Sequence, residues 1–593
     1  MIRTPLRPLA RILSARARGE DPAGIEAANR RIRGEALRDR QRIRAERRIL
    51  LLACGFAAGF GLVAMRMGVL ASTPVAEPQA ARSGAAIQAQ RADITDRRGR
   101  VLATNIATHA LYAHPRAMID PARAARELVR IFPELDEAAL LRAFDGRRSF
   151  VWVRRTLSPE QMQAVHEIGE PGLLFAPREL RLYPNGRLAA HVLGGTTFGT
   201  EDVRSAEVIG NAGLEKALDA RLRDPARLDQ PVVLSLDLTV QAAVTEVLAA
   251  GKAMLNAKGA AAIVMEARTG EVVAMVSLPD FDPNDRPPPP TGGDPGLSPI
   301  FNRAVQGVYE LGSVMKVFPV AQALELGHVR PETVVDTRGP MQLGRFRVRD
   351  FRDLGPQLSI TDVIVRSSNI GTARLIGAIG TVRQEAYLRN LGFLDPVPLE
   401  LVEAPTGRPK PPRRWGEVEA ATISYGHGLA ASPMNLAVGY AALVNGGWKV
   451  TPTLLHGTER PPPVRVMAEQ TSAEMRAMLR AVVTRGTATM ALVPGYDLGG
   501  KTGTADKMNP AGGYFDDRVM ATFAGAFPMH DPRYVIVVAL DEPVETSGIE
   551  PRRTAGWTAV PVTGEIVRRI APLLGLRPGV EATLPSGLTQ VRN

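Results

Sequence analysis

The longest apolar stretch in this chain, residues 49–65, continues past Arg66 to Ala71. As one helix at about 1.5 Å per residue, 49–71 spans about 35 Å, enough for a bilayer core of about 30 Å. A cleaved signal peptide does not fit, because 48 residues precede the run. A buried soluble helix is disfavoured too, since so uniform a helix has no polar face to turn toward water. Residues 72–90 are rich in Ala, Pro and Ser and read as a flexible spacer. From 91 to about 230, short strand-like pieces alternate with helical ones such as 121–132. An amphipathic helix is predicted over 238–250. Next come two apolar runs, 260–266 and 271–277, joined by Ala267-Arg-Thr-Gly270, a hairpin signature. A Pro-rich loop follows over 282–299. Near the end, 520–528 and 534–540 read as two further strands. Strands at both ends with a helical middle predict an α/β sandwich whose sheet joins early and late segments.

Length changes the picture little: 593 residues imply two or three folded modules. Charge changes it more. Residues 1–48 hold fourteen Arg and six Asp or Glu, a balance of +8 out of the chain's +12. The excess therefore sits in the leader, and no aromatic-interleaved basic stripe marks a nucleic-acid surface. An Arg-rich flank stays cytoplasmic by the positive-inside rule, so everything after residue 72 is expected on the other side of the membrane. The single cysteine, Cys54, cannot form an intrachain disulfide. The eight scattered histidines offer no zinc spacing, so no metal or cofactor is expected.

Candidate chemistry lies in three short motifs: Ser313-Val-Met-Lys316, Ser367-Ser-Asn369 and Lys501-Thr-Gly503 followed by Thr504. Alone, each has a bland reading: a helix cap, a turn, an edge strand. Together they make chemical sense. A helix starting at Ser313 would place Lys316 one turn on, on the same face. A serine hydroxyl needs a base to become a nucleophile, and a lysine serves only when its amine is neutral. Burial or a second cation, for which Lys501 is available, would favour that state. Backbone N–H groups at the helix start would face a developing oxyanion. Pro319 is expected to kink the same helix. Of 73 basic residues only eight are Lys, yet positions 316 and 501 are both Lys. Guanidinium does not release its proton, whereas ammonium can, which supports a proton-transfer role.

The ordered Ser-x-x-Lys, Ser-x-Asn, Lys-Thr-Gly set resembles that of the penicillin-binding proteins and serine β-lactamases. The flanks narrow the resemblance to class B penicillin-binding proteins. Arg91-Ala-Asp-Ile-Thr-Asp-Arg-Arg-Gly-Arg-Val-Leu-Ala103, Arg178-Glu-Leu-Arg-Leu-Tyr-Pro-Asn-Gly186 running to His191-Val-Leu-Gly194, and Gly213-Leu-Glu-Lys216 are similar to the three motifs of their non-catalytic pedestal. Thr269-Gly-Glu, Asn302-Arg303, Gly426-His-Gly428 and Gly486-Thr-Ala488 also match. Gly500-Lys-Thr-Gly-Thr-Ala505 and Phe523-Ala-Gly-Ala-Phe-Pro528 resemble the division-specific FtsI type. Three residues depart from the family pattern: Leu311 where many members have Pro, Val314 where Thr is common, and Asp506 after the Lys-Thr-Gly-Thr strand.

The resemblance implies an α/β (α+β) fold: one transmembrane helix, an elongated pedestal, and a transpeptidase domain with a five-stranded antiparallel sheet flanked by helices. The expected segments are 1–48 cytoplasmic, 49–71 transmembrane, 72–90 linker, 91–230 pedestal, 231–575 transpeptidase and 576–593 tail. It implies acylation of Ser313 by a stem pentapeptide, with release of terminal D-alanine and transfer to a neighbouring stem's amine. Lys316 would be the base, while Ser367 with Lys501 would relay the proton to the leaving amine. Asn369 would hold the substrate amide, and Thr502, Gly503 and Thr504 would line the substrate, the threonines gripping its carboxylate. The Ser313 and Thr504 N–H groups would form the oxyanion hole. Expected partners are lipid-linked nascent glycan, β-lactams, a SEDS-family glycan polymerase and other divisome proteins at the inner membrane of a bacterium, with a periplasmic catalytic domain at the septum. His191 and His427 are read as structural and remote from the site. Arg178, Glu179 and Arg181 are read as a pedestal ion-pair network or a partner surface. Competing readings are an elongation-type transpeptidase, a β-lactamase or D,D-carboxypeptidase on the same fold, and a non-enzymatic scaffold or β-lactam sensor. A Glu-x-x-Leu-Asn deacylation pattern is absent, Glu385-Ala-Tyr-Leu-Arg-Asn having one residue too many.

Overall fold

The computed structural model describes residues 7–72, 90–201, 206–509 and 512–579. Nearly all of the spacer expected at 72–90 lies outside the described residues, as does the expected tail beyond Gly579. The chain divides into two compact units, 1–86 and 87–593.

The first unit holds two helices, α1 (Arg7–Ala17) and α2 (Ala23–Ser72). The sequence reading separates a basic segment from an apolar helix at residue 49, but α2 runs through that boundary unbroken. Local composition explains the difference. The basic half is dominated by Ala, Arg and Glu, strong helix formers, and holds no proline. Arg31–Glu35 and Arg42–Glu46 add ion pairs one turn apart. Within α2 the stretch Arg42–Met67 is long and apolar enough to cross a membrane, and it is exposed among the described residues.

The second unit opens with β1 (Ile94–Thr95), β2 (Val101–Ala113), α3 (Pro121–Ile131), α4 (Glu137–Ala143), β3 (Val151–Leu157), α5 (Pro159–Glu167) and β4 (Leu173–Leu182). β4 pairs antiparallel along most of β2, with Thr104 opposite Leu182 and Ala113 opposite Leu173. β2 and β4 are longer than the pieces the sequence suggests. β2 also pairs with β1 and β3, and this sharing blurs the in–out alternation that would have shown its length. α3 starts on Asp120, which accepts the Arg123 N–H, and α5 starts on a Ser158–Gln161 capping box. Leu111, Leu128, Phe132, Leu157 and Val165 form a small core of their own. A β5 (Gly195–Glu201) and β6 (Ala206–Ala212) pair follows, and β7 (Val232–Val233) lies parallel to β1.

The three pedestal motifs meet in one buried knot. Arg91 donates to Glu215 at 2.7 and 3.0 Å and to Asp219 at 2.6 Å, while Arg181 reaches the other Glu215 oxygen at 2.7 Å. The side chains of Arg91 and Glu215 are fully buried. Arg178 stacks over the Trp152 ring at 4.5 Å. The Asp96 turn ties this region to the next. Asp96 accepts the Leu238 N–H at the start of α6 (Leu238–Met254), and Arg97 reaches Glu266 and Glu271.

The remaining body is a sheet with helices on both faces. The predicted hairpin is present as β8 (Gly259–Glu266) and β9 (Val272–Leu278), and the late strands as β10 (Gly499–Met508), β11 (Tyr514–Phe527) and β12 (Tyr534–Asp541). All pairs are antiparallel in the order β10-β11-β12-β8-β9. Tyr534 stands opposite Glu266 and Asp541 opposite Gly259, so β12 joins late chain to early chain. Every residue of β12 is buried, which is why it reads as an unbroken apolar run. Helix α6 packs with the C-terminal helix (Ala559–Leu573), while the helices Pro433–Val444 and Glu469–Arg485 cover the sheet elsewhere.

Candidate active site

Ser313 lies in a 3-10 turn, Gly312–Lys316, which passes directly into the α-helix α7 (Val317–Glu325). Two expectations change. The helix does not start as an α-helix at Ser313, and Pro319 breaks no hydrogen bond. With α7 starting at Val317, Pro319 occupies the first turn, where the N–H has no intrahelical acceptor. The tighter turn has three residues per turn, so Ser313 and Lys316 stack on one side.

The turn is wedged against β10. Gly312 has φ +65°, its N–H donates to the Gly426 carbonyl at 3.1 Å, and a Cβ there would sit 2.5 Å from the Thr504 carbonyl oxygen. A Cβ at Gly503 would sit 2.3 Å from the Leu311 carbonyl oxygen. Glycine is required at both places by the close approach of the two backbones. The buried Tyr440 hydroxyl donates to the Val314 carbonyl at 2.9 Å, fixing the turn from below.

Ser367 ends the helix α8 (Ile360–Arg366) in the left-handed region, φ 65° and ψ 47°. Ser368 then caps α9 (Asn369–Ile379), accepting the Gly371 N–H at 3.0 Å. The left-handed residue turns the Ser367 side chain toward the lysines. Lys316 Nζ donates to the Ser367 carbonyl at 2.6 Å and to its hydroxyl at 3.0 Å, and Lys501 Nζ donates to the same hydroxyl at 3.0 Å. Lys501 also meets the Thr502 carbonyl at 3.0 Å. Both lysines are buried. Burial pushes the Lys316 amine down to about 7, against the Asp350 carboxylate, which pulls it up. Burial, and then the neighbouring Lys316, hold Lys501 well below the ordinary lysine range.

The other predicted residues lie around this core. Asn369 Nδ2 donates to the Arg349 carbonyl at 2.7 Å. Thr502 meets Thr487 hydroxyl to hydroxyl at 2.7 Å, and Thr504 Oγ1 accepts the Ala555 N–H at 3.0 Å. β10 is an edge strand, so its outer backbone is open to pairing. His191 is away from this cluster, with Nε2 on the Pro299 carbonyl at 2.8 Å, and burial lowers it to about 4. His427 is not remote. Its neighbour Gly426 holds Gly312, and the imidazole senses the charge of Lys316.

Asp350 was missed from sequence. Its carboxylate accepts the Ser368 hydroxyl at 2.8 Å and the N–H groups of Asn369 and Ile370, holding the second motif in place. A lone Asp in an irregular loop, eighteen positions from its partner, carries no periodic signal. Thr487 was within a recognised motif but had no role assigned until Thr502 met it.

The geometry accords with comparisons to known proteins. A penicillin-binding protein transpeptidase domain model matches residues 260–566, and a penicillin-binding protein dimerisation domain model matches 86–230. The chain belongs to the penicillin-binding protein transpeptidase family. It is 37% identical over 503 residues to a probable peptidoglycan D,D-transpeptidase FtsI of Caulobacter vibrioides, covering 83% of this chain and 82% of the relative. It is 27% identical over 523 residues to the peptidoglycan D,D-transpeptidase FtsI of Escherichia coli, covering 84% and 86%. Among solved structures, penicillin-binding protein 3 of Mycobacterium tuberculosis complexed with aztreonam superposes with TM-score 0.63 at 29% identity, covering 83% of this chain and 98% of that one. Membership in this penicillin-binding family accounts for both the pedestal and the antiparallel sheet.

Proposed function

We propose that this chain is a membrane-anchored serine D,D-transpeptidase that cross-links peptidoglycan stem peptides during septal wall synthesis. The observation that carries the reading is one hydroxyl, Ser367, receiving bonds from two buried amines at 3.0 Å each, one of them Lys316, a single 3-10 turn after Ser313. Neutral Lys316 takes the Ser313 proton as Oγ bonds to the penultimate D-alanine carbonyl carbon. The oxyanion is met by the N–H groups of Ser313 and Thr504. The C–N bond then breaks, and the proton passes through Ser367 and Lys501 to the departing D-alanine amine. A neighbouring stem's amine attacks the acyl carbon, the C–O bond breaks, and that amine's proton returns to Ser313 Oγ. Asn369 holds the donor amide, and Thr502, Gly503 and Thr504 line its carboxylate end. The open edge of β10 lets an extended donor add as a further strand.

The same serine is the target of β-lactams, whose strained amide mimics the donor and leaves no small amine to diffuse away. The Arg-rich end of α2 supports an orientation with the N-terminus in the cytoplasm and the catalytic body in the periplasm. A SEDS-family glycan polymerase and divisome proteins are the partners, because neither matched domain polymerises glycan. Labelling with a fluorescent penicillin tests the reading: one covalent adduct is expected, absent in Ser313→Ala. An adduct elsewhere would refute the site. Depletion tests the cellular role, filamentous cells supporting division and rounded cells pointing to elongation.

A further inference from the structure

Side chains two apart on a strand share a face, so the side of β10 that carries Thr502 and Thr504 continues to Asp506, about 7 Å further on. The Asp506 side chain is exposed and makes no hydrogen bond or ion pair among the described residues. Around it the cleft wall is aromatic. Tyr425, His427 and Tyr514 stand ring beside ring, with centroids 5.8 Å apart at each step. The Tyr514 hydroxyl lies 3.0 and 3.2 Å from the two Glu310 oxygens, and Glu310 also accepts the Gly428 N–H at 2.8 Å. Glu310 is thus held by the protein, whereas Asp506 is open. The His427 imidazole is lowered by burial and so neutral at pH 7; it senses Glu310, Asp506 and Lys316 together, which links this wall to the catalytic lysine. Its buried Nδ1 has no partner among the described residues.

We propose that Asp506, backed by Glu310 and the rings of Tyr425, His427 and Tyr514, is the subsite that receives the ammonium group of the acceptor stem peptide. The inference rests on the transpeptidase reading and assigns its second substrate a place. An alkyl amine has a pKa of about 10, so the acceptor arrives as a cation and gives one proton to Lys316, neutral again after acylation, before its lone pair attacks the acyl carbon. Aromatic faces and carboxylates both attract cations, and their combination beside the acyl carbon selects an amine over water. The strand face would then be divided by charge: threonine hydroxyls for the donor's carboxylate, then a carboxylate for the acceptor's ammonium.

The test separates the two half-reactions. A thioester mimic of the donor stem acylates the full-length chain, and the acyl group is partitioned between water and a tripeptide carrying a side-chain primary amine. Asp506→Asn is expected to raise the acceptor concentration needed for half-transfer on the order of fivefold. Fluorescent penicillin labelling should stay within about twofold of the parent, because acylation does not use the acceptor. Asp506→Glu should restore partitioning toward the parent value. Unchanged partitioning in Asp506→Asn would overturn the proposal, as would equal losses of labelling and transfer. Absence of labelling in the parent chain would instead defeat the transpeptidase reading itself.

Discussion

Lys316 carries a titration that can be read out directly. Burial brings its amine to about 7 from the ordinary 10.5, so at lower pH it is protonated and cannot take the Ser313 proton. The rate of acylation by a fluorescent penicillin should therefore fall about tenfold per unit below that value and level off above it. Asp350 pulls the same amine upward, so Asp350→Asn should move this acid limb to lower pH, alongside any loss from loosening the second motif. Linkage has the same sign. Between pH 7 and 10.5 the unfolded chain holds more protons at this position than the native one, so the penalty that Lys316 places on folding shrinks as pH rises through that window. Lys316→Arg should lower the acylation rate at least about 100-fold, since a guanidinium keeps its proton. At this scale the sequence was most informative where chemistry restricts residue type: a hydroxyl and two releasable amines. Asp350 was invisible because carboxylates that cap a helix from a distant loop leave no local pattern.

Elements explain why those few atoms stay in register. Gly312→Ala would force a side chain into the left-handed region and against the Thr504 carbonyl at 2.5 Å. A loss of about 1–3 kcal/mol is expected, seen as a lowered Tm together with slower penicillin labelling. A substitution that lowered neither would mean that the turn and β10 are not in contact in solution. The hairpin of β8 and β9 was legible because a Gly-bearing turn separates two apolar runs. The start of α7 was not, since a 3-10 turn and an α-helical turn present the same residues at a three-position spacing. Only the coordinates place Pro319 where it costs nothing. The unbroken course of α2 was likewise hidden by a sharp change in hydropathy, which marks the environment of a helix and not its end.

For the whole molecule, the buried Arg91–Glu215 pair joins the first and last motifs of the pedestal. Arg91→Ala would strand Glu215 with only Arg181 beside it, at an expected cost of about 3–5 kcal/mol. Thermal melting should show the loss, and protease sensitivity should appear first between residues 91 and 230. Each module announces itself in the sequence by its own motifs. Their convergence on one glutamate does not, because ion pairs between residues more than a hundred positions apart follow from the fold alone.

The strand order also governs when the enzyme can first act. Lys501 is held by β10, which reaches the early hairpin only through β11 and β12. Ser313 and its base Lys316 are synthesised long before these strands exist, so a half-made chain bears both without the second amine, Lys501. The site gains its second amine only when the last three strands of the sheet have been added to the early hairpin.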